Sequence, residues 1–326
     1  MINLVYNEQL KIFRKKRLFV IMLIIAILVP IITYAQYKQD KTAEEKLGTK
    51  DWRVQLQQSI VDTQNRLSSS QLPEDFAQYL KIELTQEQYY LNHNINPNSP
   101  GAPTFMRIFA ENAIDLLLPL LVMVVAADLV SSEASGGTIK LLLTRPVKRW
   151  KILLSKYIAL LFAISLIILC VAILSYAISG IVFGYKGWNM PMLTGFITKG
   201  EDLITTHVHL ISQWKYILME FGLVWFVCVV VGTLTFMLSV LIRSTAAVMG
   251  IMLAALIAGA ILVNMVSSWQ SAKYLFMVNL QLTDYVNGTK PPIEGMTLGF
   301  SITVLLVWMI ASLIVAFTVF NRRDVY

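Results

Sequence analysis

Long apolar runs alternate with shorter polar segments along the chain. A helix needs about 20 residues to cross the hydrocarbon core of a bilayer, which is about 30 Å thick. Six runs reach or approach that length, and they are continuously apolar, whereas the strands of a membrane barrel would alternate at every second position. The pattern therefore predicts an all-α, polytopic membrane protein whose six transmembrane helices lie at residues 18–35, 113–130, 157–183, 217–242, 246–266 and 298–320.

The polar segments predict smaller elements between these spans. In residues 1–17, apolar positions recur at helical spacing opposite a basic side, which predicts an N-terminal helix in the cytoplasmic interface, or else a frayed extension of the first span. Apolar positions at steps of three and four in 36–112 predict an extracytoplasmic helical hairpin. Residues 184–216 are expected to form an extracytoplasmic loop. The polar but aromatic-rich segment 267–297 is expected to be an extracytoplasmic or re-entrant element.

The composition excludes several classes of protein. Of the 326 residues, 56% are hydrophobic and 14% are charged, whereas a soluble domain contains about 25% charged residues. A soluble enzyme needs a more polar surface, a disordered chain needs low hydrophobicity, and a disulfide-rich scaffold needs more cysteines than two. Cys170 and Cys228 both fall inside predicted spans, where a thiol behaves as a small apolar group.

The excess of basic residues indicates an orientation. The chain carries 27 Lys+Arg and 20 Asp+Glu, a formal charge of +7. If the termini are cytoplasmic, the cytoplasmic segments hold 14 Lys+Arg in 52 positions, and the extracytoplasmic segments hold 13 in 141. The positive-inside rule then predicts a multi-pass protein of the cell membrane, expected to be a bacterial plasma membrane, with both termini and the tail 321–326 in the cytoplasm. The charge therefore gives no reason to expect nucleic-acid binding.

The cytoplasmic loop 131–156 carries the most specific pattern. Gly136 and Gly137 allow a turn, residues 138–143 predict a short amphipathic helix, and Pro146 ends it. Such a helix in a tight loop is suited to a groove on a cytosolic partner. A plain basic hairpin that satisfies the positive-inside rule is the alternative.

The loop carries the motif Glu133-x-x-x-Gly137-Thr138-Ile139-Lys140-x-Leu142-Leu143-Thr144-x-Pro146-Val147-x-Arg149. This motif resembles the first cytoplasmic loop of type-2 ABC transporter permeases. Two further segments are similar to those permeases: the opening Asn7-Glu8-x-x-Lys11-x-x-Arg14 and the ending Phe320-Asn321-Arg322-Arg323-Asp324. Together with the six spans, the resemblance covers essentially the whole chain.

The resemblance implies a non-catalytic transmembrane subunit that works with a cytosolic ABC ATPase and with a second permease copy or paralogue. ATP and Mg²⁺ would bind to the ATPase, and this chain would bind no cofactor. Consistent with that division, the sequence lacks the Gly-x-x-x-x-Gly-Lys-Ser/Thr phosphate loop. The residues expected to couple the chain to the ATPase are Glu133, Gly137, Thr138, Ile139, Lys140, Leu142, Leu143 and Arg145.

Polar and small residues within the spans suggest further roles. A charge at mid-bilayer costs about 2.5–3.5 kcal/mol on insertion scales, so Asp115 and Glu220 are candidates for the substrate path, with charge pairing at a helix end as the alternative. His207 and His209 have no acidic or cysteine companion close in sequence, and no metal site is expected. Small residues that let helices approach closely recur in the fifth span, and we expect them to pack against another helix or at a dimer interface: Gly250, Ala254, Ala255 and Gly259.

The function predicted on these grounds is that of an exporter permease for a hydrophobic or amphipathic substrate, such as a lipid-like molecule, an antimicrobial peptide or a drug, in contact with membrane lipid. One alternative is a secondary transporter, although that class usually shows internal repeats, and none is evident between the two halves of the chain. A second alternative is a ligand-sensing membrane component of a resistance or signalling complex. A membrane enzyme would need a clustered catalytic site, which the scattered histidines and acids do not supply.

Overall fold

The computed structural model describes residues 1–68, 72, 74–138, 147–199, 202–263, 265 and 269–322. Within these ranges the chain is mainly helical, with four short strands in its second half. In chain order the elements are α1 (Ile2–Arg14), α2 (Arg17–Leu47), α3 (Trp52–Leu67), α4 (Glu74–Asn92), α5 (Ala102–Ala113), α6 (Leu117–Ser135), α7 (Arg149–Phe183), β1 (Pro191–Thr194), β2 (Ile197–Lys199), β3 (Asp202–Ile204), β4 (His209–Ser212), α8 (Gln213–Leu241), α9 (Thr245–Val263), α10 (Asp284–Asn287) and α11 (Leu298–Arg322).

Six of the described helices are long and apolar enough to cross a membrane: α2, α6, α7, α8, α9 and α11. They confirm the predicted all-α polytopic fold, and each overlaps one predicted span. The boundaries differ most where polar residues continue a helix beyond its apolar run. Helix α2 continues to Leu47 instead of ending at 35, and α7 begins at Arg149 instead of 157.

Helices α6, α7 and α8 form the centre of the bundle. Helix α8 packs most extensively against α6, and α6 and α8 bury more of their apolar windows than the other spans. Close approach depends on Gly232 in α8, because a Cβ there would lie 2.8 Å from the Ile164 side chain and 3.1 Å from the Val122 side chain. Helices α2, α9 and α11 lie around this centre with much of their apolar surface exposed, as expected for helices that contact lipid.

The chain termini distinguish the two ends of the bundle. Helix α1 packs against the first turns of α7, and Arg149 at the start of α7 donates to the Asn321 carbonyl near the end of α11. We call this the proximal end of the bundle, and the end that holds α3, α4 and the strands the distal end. The predicted helical hairpin is present at the distal end, where α3 packs against α4. It begins at Asp51, whose side chain accepts a hydrogen bond from the Arg53 amide and so caps α3.

A further helix, α5, precedes α6, where the sequence pattern predicted only the end of the hairpin and a span beginning at 113. Helices α5 and α6 together lie alongside α8 over its length. Gln213 of α8 hydrogen-bonds to Thr104 of α5 near the distal end, and the Val130 amide of α6 donates to Ser239 of α8 near the proximal end. The two helices are separated by a break at 114–116. Pro119 explains the break, because proline cannot donate to the carbonyl four residues earlier and its ring crowds that carbonyl.

Four strands replace part of the predicted loop 184–216. Strand β1 pairs with β4 in antiparallel register, from Pro191 opposite Ser212 to Thr194 opposite His209, and β2 pairs with β3. Strands of three or four residues are too short to show an alternating pattern, which is why they could not be predicted from the sequence.

The segment 267–297 forms no transmembrane helix in the residues that the structure describes. It contains two 3₁₀ helices, Gln270–Tyr274 and Phe276–Asn279, followed by α10. A small apolar cluster of Ala272, Val278, Ile293 and Met296 holds this segment together against α9 and α11. Whether the segment enters the membrane stays a prediction.

Candidate functional site

Helix α1 lies against the proximal ends of α6 and α7 with one face turned inward. Glu8 and Ile12 on that face are buried, whereas Ile2 is 85% exposed and Phe13 is half exposed. A left-handed turn at Lys16, with φ of 57°, redirects the chain from α1 into α2. The amphipathic pattern of residues 1–17 therefore corresponds to a helix that packs on the bundle through one side and presents apolar residues on the other.

Lys156 is the centre of an ion network on the inward face of α1. Its side chain is 1% exposed, and its Nζ lies 2.7 Å from Glu8 Oε2 in α1 and 2.7 Å from Glu133 Oε2 in α6. It also donates to the Leu129 carbonyl at 3.2 Å. Two donors of the ammonium group are therefore used by Glu8 and by the Leu129 carbonyl, while Glu133 contributes an ion pair to the same nitrogen.

Lys11 completes a ring of four charges. Its Nζ lies 2.6 Å from Glu8 Oε1 and 2.8 Å from Glu133 Oε1. Burial acts to lower the pKa of Lys11, but the hydrogen bonds and charges of Glu133 and Glu8 outweigh it, so this pKa is raised above its ordinary value. We call Glu8, Lys11, Glu133 and Lys156 the proximal ring; two lysines and two carboxylates make it electrically neutral.

A second set of ion pairs joins the start of α2 to α6. Lys15 Nζ lies 2.8 Å from Asp128 Oδ2, and Arg17 Nη2 lies 2.9 Å from Asp128 Oδ1. Lys15 also hydrogen-bonds to the Ser132 hydroxyl at 2.6 Å. Helices α1, α2, α6 and α7 are therefore linked at the proximal end by charged contacts between residues far apart in sequence.

The residues expected to couple the chain to an ATPase lie beside this network, as far as the structure describes them. Glu133 belongs to the proximal ring. Gly137 has a φ of 69°, a left-handed conformation that favours glycine, and Thr138 is exposed with its hydroxyl 3.4 Å from the Glu133 carbonyl. The remaining predicted coupling residues lie outside the described residues: Ile139, Lys140, Leu142, Leu143 and Arg145.

An open groove adjoins the proximal ring. Its volume is about 710 Å³, and it is lined by residues from α1, from the end of α6 and from the start of α7. Leu4 and Leu10 contribute apolar surface from α1, while Glu8 and Lys11 place charged atoms at its wall. The groove therefore offers both apolar and charged contacts next to the cytoplasmic loop predicted from the sequence.

The two predicted path residues occupy different places in the distal half. Glu220 in α8 is fully buried and lies beside Arg107 and Glu111 of α5. Asp115 lies in the break between α5 and α6, half buried, within hydrogen-bonding reach of Gln281. The structure thus brings Glu220 together with the α5 charges, and Asp115 with the segment that leads to α10.

The small residues of α9 do not share one environment. Gly259 is buried, and a Cβ there would lie 2.6 Å from Met277 Cβ, so it packs against the 3₁₀ helix Phe276–Asn279 of the same chain. Gly250 and Ala254 are exposed, and Ala255 is half buried against the core. Only the Gly250–Ala254 part of the predicted stripe is available to a second chain.

Several charged residues of these clusters were not singled out from the sequence as functional. Lys156 was counted only in the basic flank of the loop, and Glu8 only in the similarity of the N-terminal motif. Their position next to apolar spans was the available signal, since a charge there needs a partner. The sequence alone could not show which partner, because Glu8 and Lys156 are 148 positions apart.

Comparisons with known proteins place the chain among uncharacterized relatives. A family model described as "Protein of unknown function (DUF2705)" matches residues 76–326. The uncharacterized protein YhcI of Bacillus subtilis strain 168 is 30% identical over 330 residues, which cover 100% of this chain and 99% of that protein. The uncharacterized membrane protein YdbK of the same strain is 28% identical over 215 residues, 65% of this chain and 80% of that protein. The name of the second relative describes a membrane protein, in agreement with the six long apolar helices.

Proposed function

Since this chain belongs to the DUF2705 family, a family name that assigns no activity, we propose from its own residues that it is the permease subunit of an ATP-driven ABC exporter. A separate cytosolic ATPase would bind ATP and Mg²⁺, and a second permease copy or paralogue would complete the transport path. The proposed substrate is hydrophobic or amphipathic, and the proposed location is the cell membrane with both termini in the cytoplasm.

The observation that carries this proposal is the proximal ring beside the permease-like loop. Glu133 is the first residue of the loop motif and lies on α6, and Lys156 follows the motif on α7. Lys156 is ion-paired with both Glu133 and Glu8, and Lys11 of α1 is ion-paired with Glu133. A force applied to the loop by a partner would therefore reach α6, α7 and α1 together. A rigid charged link of this kind is what an external motor needs in order to move transmembrane helices, since coupling passes through packed and ion-paired networks.

The mechanism that follows is alternating access driven from the proximal end. ATP-dependent closure of two ATPases would push on the loop that contains Thr138. Because α6 forms much of the bundle centre with α8, a tilt of α6 would change the packing along the bundle axis. The exposed apolar face of α1 would remain in the membrane interface while its charged face moves with α6.

The test is co-expression of the full chain with the proposed cytosolic ABC ATPase from the same organism, purification of the complex, and ATP hydrolysis assays in proteoliposomes. Glu133→Gln keeps the size of the side chain but removes the charge that pairs with Lys156. We expect the complex to assemble and basal hydrolysis to remain, while stimulation by an exported amphipathic compound is lost. A matched control is Glu45→Gln, since Glu45 is an exposed carboxylate in the distal extension of α2.

A chain that recruits no ATPase, or a Glu133→Gln complex with full stimulation, would contradict the proposal. A secondary transporter is the second candidate, because the break between α5 and α6 and the buried Glu220 are features of ion-coupled carriers. Export that follows an ion gradient in vesicles without ATP would favour that candidate over the ABC permease.

A further inference from the structure

A second charged cluster lies in the distal half of the bundle, far from the proximal ring. It combines Arg107 and Glu111 of α5, Glu220 of α8, Asp115 in the break between α5 and α6, and Asp284 at the start of α10. We call these five residues the distal cluster. It contains four carboxyl groups and one cation, so it is not balanced in the way that the proximal ring is.

Arg107 is held in place by several acceptors. Its Nη1 donates to Glu111 Oε1 at 2.9 Å, and its Nη2 donates to the Pro97 carbonyl at 3.0 Å. Its guanidinium carbon lies 5.9 Å from the centre of the Tyr216 ring. The guanidinium therefore forms its ion pair with Glu111 and not with Glu220.

Glu220 has no comparable partner. It is 0% exposed, and neither of its carboxyl oxygens accepts a hydrogen bond from any residue that the structure describes. The Glu111 carboxyl lies within hydrogen-bonding reach of it. Two ionised carboxylates cannot donate to each other, since each is an acceptor only. A hydrogen bond between Glu111 and Glu220 therefore requires one proton between them.

Among the residues that the structure describes, the groups that face this pair include no cation other than Arg107. The Tyr216 ring of α8 and the Tyr90 ring of α4 are the neighbouring phenols, and burial raises the pKa of Tyr90 to about 12, so that Tyr90 stays neutral. The carboxyl groups of Asp115 and Asp284 lie on the Glu111 side of the pair and supply no positive charge. Two carboxyl groups that are close together in a buried site are unfavourable when both carry a negative charge.

The arrangement suits a proton better than a metal ion. Among the described residues no group of three or more histidine, cysteine, aspartate or glutamate side chains is placed to hold a metal ion. Divalent cations such as Ca²⁺ need six to eight oxygen ligands. A single proton needs only two facing carboxyl oxygens, and Glu111 with Glu220 supplies them.

We propose that Glu111 and Glu220 form a proton-binding site in the distal half of the bundle, in which one proton is shared between the two carboxyl groups while Arg107 balances the remaining negative charge. The proton comes from water and returns to it, and no bond other than the O–H bond is formed or broken. The site lies at the broken helix pair α5–α6, which is where transporter helices commonly carry ion sites. It does not require an ATPase partner, so its test is separate from that of the proposed function.

The proton can be observed by infrared difference spectroscopy of the full chain in lipid nanodiscs, comparing acidic with alkaline buffer. Asp284→Asn serves as the background, because Asp284 would add its own protonated carboxyl. We expect a carbonyl band of a buried protonated carboxyl at neutral pH that shifts in D₂O. We expect Glu220→Gln to abolish this band and to take up one proton fewer per chain, since the amide imitates the neutral acid.

Glu111→Gln is a second variant for the same infrared measurement. Its amide can donate to the Glu220 carboxylate, so the band should be lost in this variant too, even if Glu220→Gln were to fold poorly. Glu45→Gln, an exposed carboxylate, should leave the band unchanged. A wild-type spectrum without the band, or a band that survives in both variants, would overturn the proposal. Stabilisation by sodium ions that disappears in Glu220→Gln would instead assign the site to a metal cation and would also overturn it.

Discussion

Lys156 is a buried lysine whose charge is balanced by two carboxylates from two other helices. Removing one member of a buried ion network leaves the others uncompensated, which costs about 3–5 kcal/mol. We therefore expect Lys156→Met to lower the free energy of unfolding by about 3 kcal/mol or more. Lys11→Met is the matched control, because Lys11 pairs with the same carboxylates but is 41% exposed.

The Lys11→Met variant should lose less, about 1 kcal/mol, because Lys11 is 41% exposed and water screens its contacts with Glu8 and Glu133. Both values can be measured by denaturant titration in detergent with tryptophan fluorescence. Equal losses in the two variants would show that burial of Lys156 does not determine the strength of the proximal ring.

Asp284 gives the distal end a pH dependence. Burial, and then the charges of Asp115 and Glu111, raise the pKa of Asp284 from 3.8 to about 7. Between these two values the folded chain holds a proton that the unfolded chain has released, so stability falls as the pH rises from about 4 to about 7. This loss should be absent from Asp284→Asn. Thermal unfolding of both proteins across that pH range measures it, and parallel pH profiles would contradict the assignment.

At the scale of an element, α9 offers two glycines in opposite environments. In Gly259→Leu the new side chain would meet Met277, and overpacking of this kind costs about 1–3 kcal/mol. A Cβ at Gly250 would meet no neighbouring atom within 4 Å, so Gly250→Leu should change the unfolding free energy by less than about 0.5 kcal/mol.

The same two variants distinguish packing within the chain from packing between chains. If the Gly250–Ala254 surface contacts a second copy, Gly250→Leu should reduce the cross-linked dimer in membranes while leaving the monomer folded. Gly259→Leu should destabilise the monomer first. A dimer that is unaffected by Gly250→Leu would exclude this part of α9 from the interface.

The elements differ in how much of them the sequence could predict. Apolar runs of about 20 residues have few alternative structures, so the six spans were predictable. Helix α5 was not, because its burial depends on α8 and its end depends on Pro119, which acts only where the chain is otherwise helical. The strands β1–β4 were not predictable, since each has only three or four residues.

The charged sites show the same limit more clearly. That Glu133 and Glu220 carry roles could be suspected from their position beside or within apolar runs. Their partners could not be deduced, because Glu133 meets Lys11 over 122 positions and Glu220 meets a helix that the pattern did not predict. Periodicity describes one element at a time, whereas ion networks form between elements.

At the scale of the whole molecule, the proximal end of the bundle holds both the ion networks and the basic residues that the positive-inside rule assigns to the cytoplasm. Asp128, Glu133 and Glu8 neutralise part of the basic charge there, yet Arg14 and Lys16 remain exposed. We therefore predict that the proximal end faces the cytoplasm. In a chain carrying Cys170→Ala and Cys228→Ala, a membrane-impermeant maleimide added to intact cells should label Gln57→Cys in α3.

The same reagent should label Asn321→Cys at the end of α11 only after the cells are opened. Both positions are exposed, so a difference in labelling reports the side of the membrane and not the burial of the side chain. Labelling of Asn321→Cys in intact cells would show that the orientation is opposite to the predicted one. It would also place the proximal ring and the groove beside it on the outer side, where no cytosolic ATPase could reach them, so this result would also exclude the proposed coupling.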